Sequence, residues 1–115
     1  MKKINDNELR SALAEASEAG KVGAIVKFST VWCAPCKAVA TMLSKLESQY
    51  ADRIAFIEAD AEECADLAVE FGIRSLPIVI AFAGSPMAET ERLVGARSQT
   101  AYEELIRSLL TQMNG

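Results

Sequence analysis

Apolar residues fall on two different periods along this chain, and the switches between them set out its elements. Leu9, Ala12, Leu13, Ala16 and Ala19 recur at helical spacing, so residues 7–19 are predicted to form a helix, opened by Asp6 or Asn7 and closed by Gly20. Ala24-Ile25-Val26-Lys27-Phe28-Ser29 is apolar on both alternating faces except at Lys27, the pattern of a central strand. The helical period returns from Cys33 to Tyr50 through Val39, Met42, Leu43 and Leu46, with Pro35 in the first turn, where a missing N–H costs little. Residues 54–59 read as a strand. Residues 62–71 read as a short helix with Cys64, Leu67, Ala68 and Phe71 on its apolar stripe and Gly72 behind it. Residues 78–83 form the next strand, Gly84-Ser85-Pro86 is turn material, and residues 90–94 return antiparallel until Gly95 breaks them. Ser98 or Thr100 then opens a last helix carrying Leu105, Ile106, Leu109, Leu110 and Met113, and the spacing of Thr100 to Glu103 fits a capping box. Residues 3–5 are expected to add a short first strand.

Alternating strand and helix imply a parallel sheet, and the closing hairpin adds antiparallel strands. The predicted class is α/β: a mixed central sheet of four to five strands flanked by four helices on both faces. Residues 1–115 form one domain, long enough for a substantial apolar core.

Composition narrows the function classes. Hydrophobic residues make up 50% and charged residues 24%, ordinary for a globular protein, and a net charge of −4 supplies no basic footprint for nucleic acid or an anionic membrane. No apolar run approaches a membrane span, and Met1-Lys2-Lys3-Ile4-Asn5-Asp6 lacks the apolar core of a signal peptide. The expected compartment is the cytoplasm, where a catalytic disulfide is more at home than a structural one. The chain has three cysteines and no histidine, so Cys-His nucleophilic catalysis and the commonest metal ligand are both excluded.

The chemistry concentrates in Trp32-Cys33-Ala34-Pro35-Cys36-Lys37, at the junction between a buried strand and a helix. Two cysteines at this spacing can close a small disulfide ring. The first of them also meets the free N–H groups and positive dipole end of the helix, which favour the thiolate that attacks disulfides. A CxxC beside a βαβ pattern is a redox motif; the competing reading, half of a zinc site, would have to be completed by Cys64 and a carboxylate.

From Phe28-Ser29-Thr30-Val31-Trp32-Cys33-Ala34-Pro35-Cys36-Lys37, Asp60, Phe71-Gly72-Ile73-Arg74-Ser75-Leu76-Pro77, Phe82 and Val94-Gly95, with their spacing, the chain resembles the thioredoxin family nearly end to end. The resemblance implies a thioredoxin-like fold and a protein-disulfide reductase. Cys33 would be the nucleophile and Cys36 the resolving thiol, the two forming the redox-active disulfide. Trp32, Ala34, Pro35, Leu76, Pro77, Val94, Gly95 and Ala96 would line the substrate groove, with Leu76-Pro77 in the cis form. It further implies no bound cofactor, no metal, electrons from NADPH through a thioredoxin reductase, protein disulfides as substrates, and action as a monomer. The other class of function on this fold is an interaction module or assembly subunit with weak redox activity.

The chain departs from the family at Ala34, where glycine is usual, at a longer turn around residues 84–88, and above all at Lys27, where a buried aspartate is usual. Many relatives also carry a lysine where Phe56 stands here. Phe56 and Glu58 share a strand face, so Lys27 and Glu58 could form a polar pair of swapped sign that modulates Cys36, or Lys27 could run its stem to the sheet edge. Cys64 is expected to be a small buried hydrophobe, with a regulatory thiol as the alternative. Arg74 stands open between substrate contact and a solvated charge.

Overall fold

Strand β2 (Gly23–Ser29) lies at the centre of a five-stranded sheet in the computed structural model, which describes residues 1–112. Around it, in chain order, are β1 (Lys2–Ile4), α1 (Leu9–Glu18), α2 (Ala34–Tyr50), β3 (Ile54–Asp60), α3 (Ala65–Glu70), β4 (Ile78–Ala83), β5 (Ala88–Val94) and α4 (Gln99–Gln112). The strand order is β1-β3-β2-β4-β5; β3 runs parallel to β1 and β2, whereas β4 is antiparallel to β2 and β5 to β4. This is the mixed sheet expected from the pattern, with the short first strand formed and all four helices present.

Alternation along β2 feeds two cores. Ala24, Val26 and Phe28 pack with Leu9, Leu13 and Leu67 on the face of α1 and α3. Ile25 packs with Val39, Leu43, Leu46, Ile106 and Leu109 on the face of α2 and α4. The first residue of the strand is a glycine, and a Cβ there would stand 2.8 Å from the Phe82 carbonyl oxygen and 3.3 Å from both Leu109 methyls. Gly20 and Gly72, at φ 82° and 63°, close α1 and α3 in the same way: Lys21 N–H donates to Ala16 O (2.9 Å) and Ile73 N–H to Ala68 O (2.8 Å), the bonds of a Schellman motif.

Helix starts differ from their sequence-based expectation for a physical reason in each case. Neither Asp6 nor Asn7 caps α1; its N-cap is Glu8, with no side-chain bond to the helix. Asp6 reaches across the fold instead and accepts the N–H of Leu67 (2.9 Å) and of Asp66 (3.2 Å), capping α3. Helix α3 is shorter than predicted, because Asp60 Oδ1 takes the N–H groups of Glu62 (2.8 Å) and Glu63 (3.2 Å) and folds residues 61–64 into a turn. Ser98, not Thr100, caps α4, accepting from Ala101 N–H at 3.2 Å. Glu103 closes no capping box and turns forward to Arg107 (2.8 Å). Strand β5 starts two residues earlier than expected, and Met113 lies outside the described residues.

Candidate active site

Where β2 leaves the sheet, Thr30 O accepts the Cys33 N–H (3.3 Å) and the chain turns into α2 with Cys33 as N-cap. Pro35 occupies the first turn. Cys36 N–H donates to both the carbonyl oxygen and the Sγ of Cys33, each at 3.2 Å. Cys33 and Cys36 are joined as a disulfide with Cα atoms 5.3 Å apart. Their surroundings differ sharply: Cys33 is half-buried beneath an exposed rim of Val31, Trp32, Ala34 and Pro35, whereas Cys36 is 3% exposed. Trp32 is 80% exposed, so it is an aromatic held in solvent beside the accessible sulfur and not a core residue.

The rest of the site comes from remote sequence. The antiparallel register pairs Phe28 with Ile78, so β4 starts at the sheet end from which the Trp32 loop departs. The Leu76-Pro77 peptide preceding it is cis, with Pro77 buried and Leu76 half-buried. Register then pairs Ile78 with Val94, and Gly95 N–H donates to Pro77 O at 2.8 Å. Gly95 makes this turn at φ 83°, a conformation other residues seldom adopt. Val94 and Ala96 are exposed, and the register puts Pro77 and Val94 at the sheet end from which the Trp32 loop departs.

Tyr102, absent from the sequence-based site, holds this last loop. It is fully buried in α4; its hydroxyl accepts the Arg97 N–H at 3.1 Å and donates to Gly95 O at 3.4 Å. Burial pushes its phenol pKa up, and the bond from the Arg97 N–H only partly offsets this. Its helical spacing to Leu105, Ile106 and Leu109 was the available signal, because a buried tyrosine needs a partner for its hydroxyl.

Lys27 does not run out to solvent. Its side chain is 5% exposed and its Nζ lies 3.3 Å from Glu58 Oε2, with Lys27 directly opposite Glu58 in the parallel β2–β3 register. The lysine alternates with Val26 and Phe28 and therefore shares the face of Ile25, the face covered by α2 and α4. Cys64 belongs to the other face: it is fully buried, at the N-cap of α3, with its thiol 3.5 Å from Ile4 O. Burial, then the charge of Asp6, raises its pKa, which disfavours the reactive thiolate.

Comparison with known proteins agrees with this geometry. Residues 1–108 match the family model described as Thioredoxin. The chain is 31% identical over 101 residues to the thioredoxin of Bacillus subtilis, covering 88% of this chain and 92% of that one. It is 37% identical over 90 residues to Thioredoxin-2 of Saccharomyces cerevisiae, covering 78% of this chain and 80% of the relative. Among solved structures, oxidised mitochondrial thioredoxin 3 from Saccharomyces cerevisiae superposes with a TM-score of 0.78 at 26% identity, over 94% of each chain.

Proposed function

The chain belongs to the thioredoxin family, and we propose that its two motif cysteines divide the work of disulfide reduction as attacking and resolving thiols. As a thiol-disulfide oxidoreductase of that family it is a protein-disulfide reductase. The observation that supports the division of labour is the contrast in access: Cys33 is half-buried at the α2 N-cap, Cys36 is 3% exposed behind it. In the reduced protein the Cys33 thiolate attacks one sulfur of a substrate disulfide. A Cys33–substrate S–S bond forms, the substrate's own S–S bond breaks, and one substrate sulfur leaves as thiolate. Cys36, once deprotonated, attacks Cys33 Sγ; the Cys33–Cys36 bond forms, the mixed disulfide breaks and the second substrate sulfur leaves. Two electrons pass to the substrate, whose two thiolates take protons from solvent.

Trp32, Ala34 and Pro35 on one side, and Leu76, Pro77, Val94, Gly95 and Ala96 on the other, offer an apolar groove for an extended segment. The N–H and C=O of Leu76 enter no backbone hydrogen bond among the described residues, which leaves them free to pair with such a segment. Lys27 acts through Cys36 as a positioning residue: a cation beneath the motif helix favours the resolving thiolate, and Glu58 holds that cation in place.

Family members need no bound cofactor, because the electrons reside in their own sulfurs. For this chain the source is NADPH through a thioredoxin reductase, and the protein works as a monomer in the cytoplasm, where reducing conditions keep the pair catalytic. No described helix is long and apolar enough to cross a membrane. The test is NADPH consumption with a thioredoxin reductase and a protein disulfide substrate. Turnover that disappears in Cys33→Ser is expected; absence of turnover in correctly folded protein would favour an interaction module instead.

A further inference from the structure

Charge is distributed unevenly around the Cys33 groove. Three segments hold the groove residues and their neighbours in the chain: residues 30–37, 71–77 and 94–98. Together they carry Lys37, Arg74 and Arg97 and no Asp or Glu, in a chain whose 16 acidic residues outnumber its 12 basic ones. All three cations are exposed, and among the described residues none is within salt-bridge distance of a carboxylate. The other exposed cations without a salt-bridge partner among the described residues, Lys45 and Arg53, have Glu47 and Asp52 within two residues of them in the chain.

Arg97 is the best organised of the three. Its backbone N–H is held by Tyr102 Oη, and its Nε donates to Val94 O at 3.1 Å, so the side chain lies back along the groove lip. The terminal guanidinium nitrogens have no hydrogen-bond partner among the described residues and present the planar fork that binds carboxylates. Arg74 stands two residues before Leu76, and the Gly95–Pro77 hydrogen bond ties its loop to that of Arg97. Beyond the Trp32 loop the sign reverses: Glu58, Asp60, Glu62 and Glu63 cluster where β3 ends, and Lys27 on Glu58 and Lys3 on Glu63 offset only half of that charge. The field across Cys33 is therefore polarised, basic toward β4–β5 and acidic toward β3.

We propose that the protein selects disulfides whose attacked cysteine has carboxylates within a few residues, which Arg74 and Arg97 engage on the β4–β5 side of the groove and Lys37 engages from the first turns of α2. This rests on the reading of Cys33 as the attacking thiol. Carboxylates on the opposite side of a bound segment meet the acidic end of β3, so charge orients the segment as well as attracting it.

The experiment uses three synthetic disulfide peptides, identical except for Glu, Gln or Lys beside the cysteine. Each is reduced by the reduced protein in a single turnover, and each rate is divided by the peptide's own rate with dithiothreitol. At an ionic strength of about 10 mM the Glu peptide is expected to react about tenfold or more faster than the Lys peptide, with the difference closing near about 1 M salt. The R74E/R97E double variant should reverse the order, and Arg74→Gln and Arg97→Gln should each shrink the Glu-to-Lys ratio. Three equal rates at low salt in the wild type would end the proposal while leaving the reductase reading intact. An order unaltered by all of these variants would overturn the assignment to the two arginines. If none of the peptides oxidises the Cys33–Cys36 pair, the reading of Cys33 fails and the proposal goes with it.

Discussion

Lys27 Nζ lies 3.3 Å from Glu58 Oε2, but the two side chains differ in exposure, at 5% for the lysine and 35% for the glutamate. The pair is a buried cation anchored by a carboxylate that water reaches. Losing one partner is therefore not equivalent to losing the other.

Glu58→Gln leaves an ammonium group buried without a counter-charge and is expected to cost about 3 kcal/mol or more. Lys27→Met keeps the stem volume and leaves a hydrated carboxylate, so it should fall within about 1.5 kcal/mol of the wild type. Urea unfolding of both variants and of the double variant checks the asymmetry, and the double variant should recover most of the Glu58→Gln loss. Lys27→Met should also move the pH–rate profile of disulfide reduction to higher pH, because a cation favouring the Cys36 thiolate has gone. An unmoved profile would make Lys27 structural only.

Thiol access predicts the order of alkylation. In reduced, folded protein Cys33 should be labelled first. Cys64, fully buried and with its pKa raised, should react about a thousandfold or more slowly, at the rate of global opening. Mass spectrometry of a limited iodoacetamide time course reads this directly. Early labelling of Cys36 or Cys64 would reverse the assignment of the nucleophile.

Tyr102→Phe removes one hydroxyl and strands both the Arg97 N–H and the Gly95 carbonyl, at an expected cost of about 1–3 kcal/mol. KM for a protein disulfide should rise more than KM for a small one, since the loop it holds is groove wall. The pH dependence has a definite sign. A phenol whose folded pKa is raised contributes fully below the ordinary tyrosine pKa of about 10, and the contribution fades as pH climbs from there toward the folded value. The wild type should therefore lose stability in that alkaline range more steeply than Tyr102→Phe.

Asp6→Ala uncaps α3 from a distance of 60 residues and is expected to cost about 0.5–2 kcal/mol. The loss should show locally, as faster amide exchange at Asp66 and Leu67 than at β2. Faster exchange throughout the sheet would contradict a capping role.

Much of the fold was legible because burial imposes periods on the chain. β2 reads as central from its doubly apolar run, α2 from the three- and four-residue steps of Val39, Leu43 and Leu46, and the hairpin from Gly84-Ser85-Pro86. The reactive pair was legible for a related reason, since the chemistry needs two thiols at a strand-to-helix junction and both halves of that requirement are local in sequence. Lys27 and Glu58 were legible as residues that could meet, because period two puts each on a known strand face.

Tertiary structure decided whatever depends on which strand lies beside which. The parallel β2–β3 register set Lys27 opposite Glu58, and the antiparallel β2–β4 register carried Pro77 to the disulfide end of the sheet. Asp6 could have capped its own helix, but packing of β1 and α1 brought it to the unsatisfied N–H groups of α3 instead. Ser98 was chosen over Thr100, and Tyr102 was given its partners, by where the Gly95 turn delivered the chain. Side-chain periodicity reports only which face of an element is buried. Hydrogen bonds and ion pairs need distances of about 3 Å, and those exist only after the elements have docked.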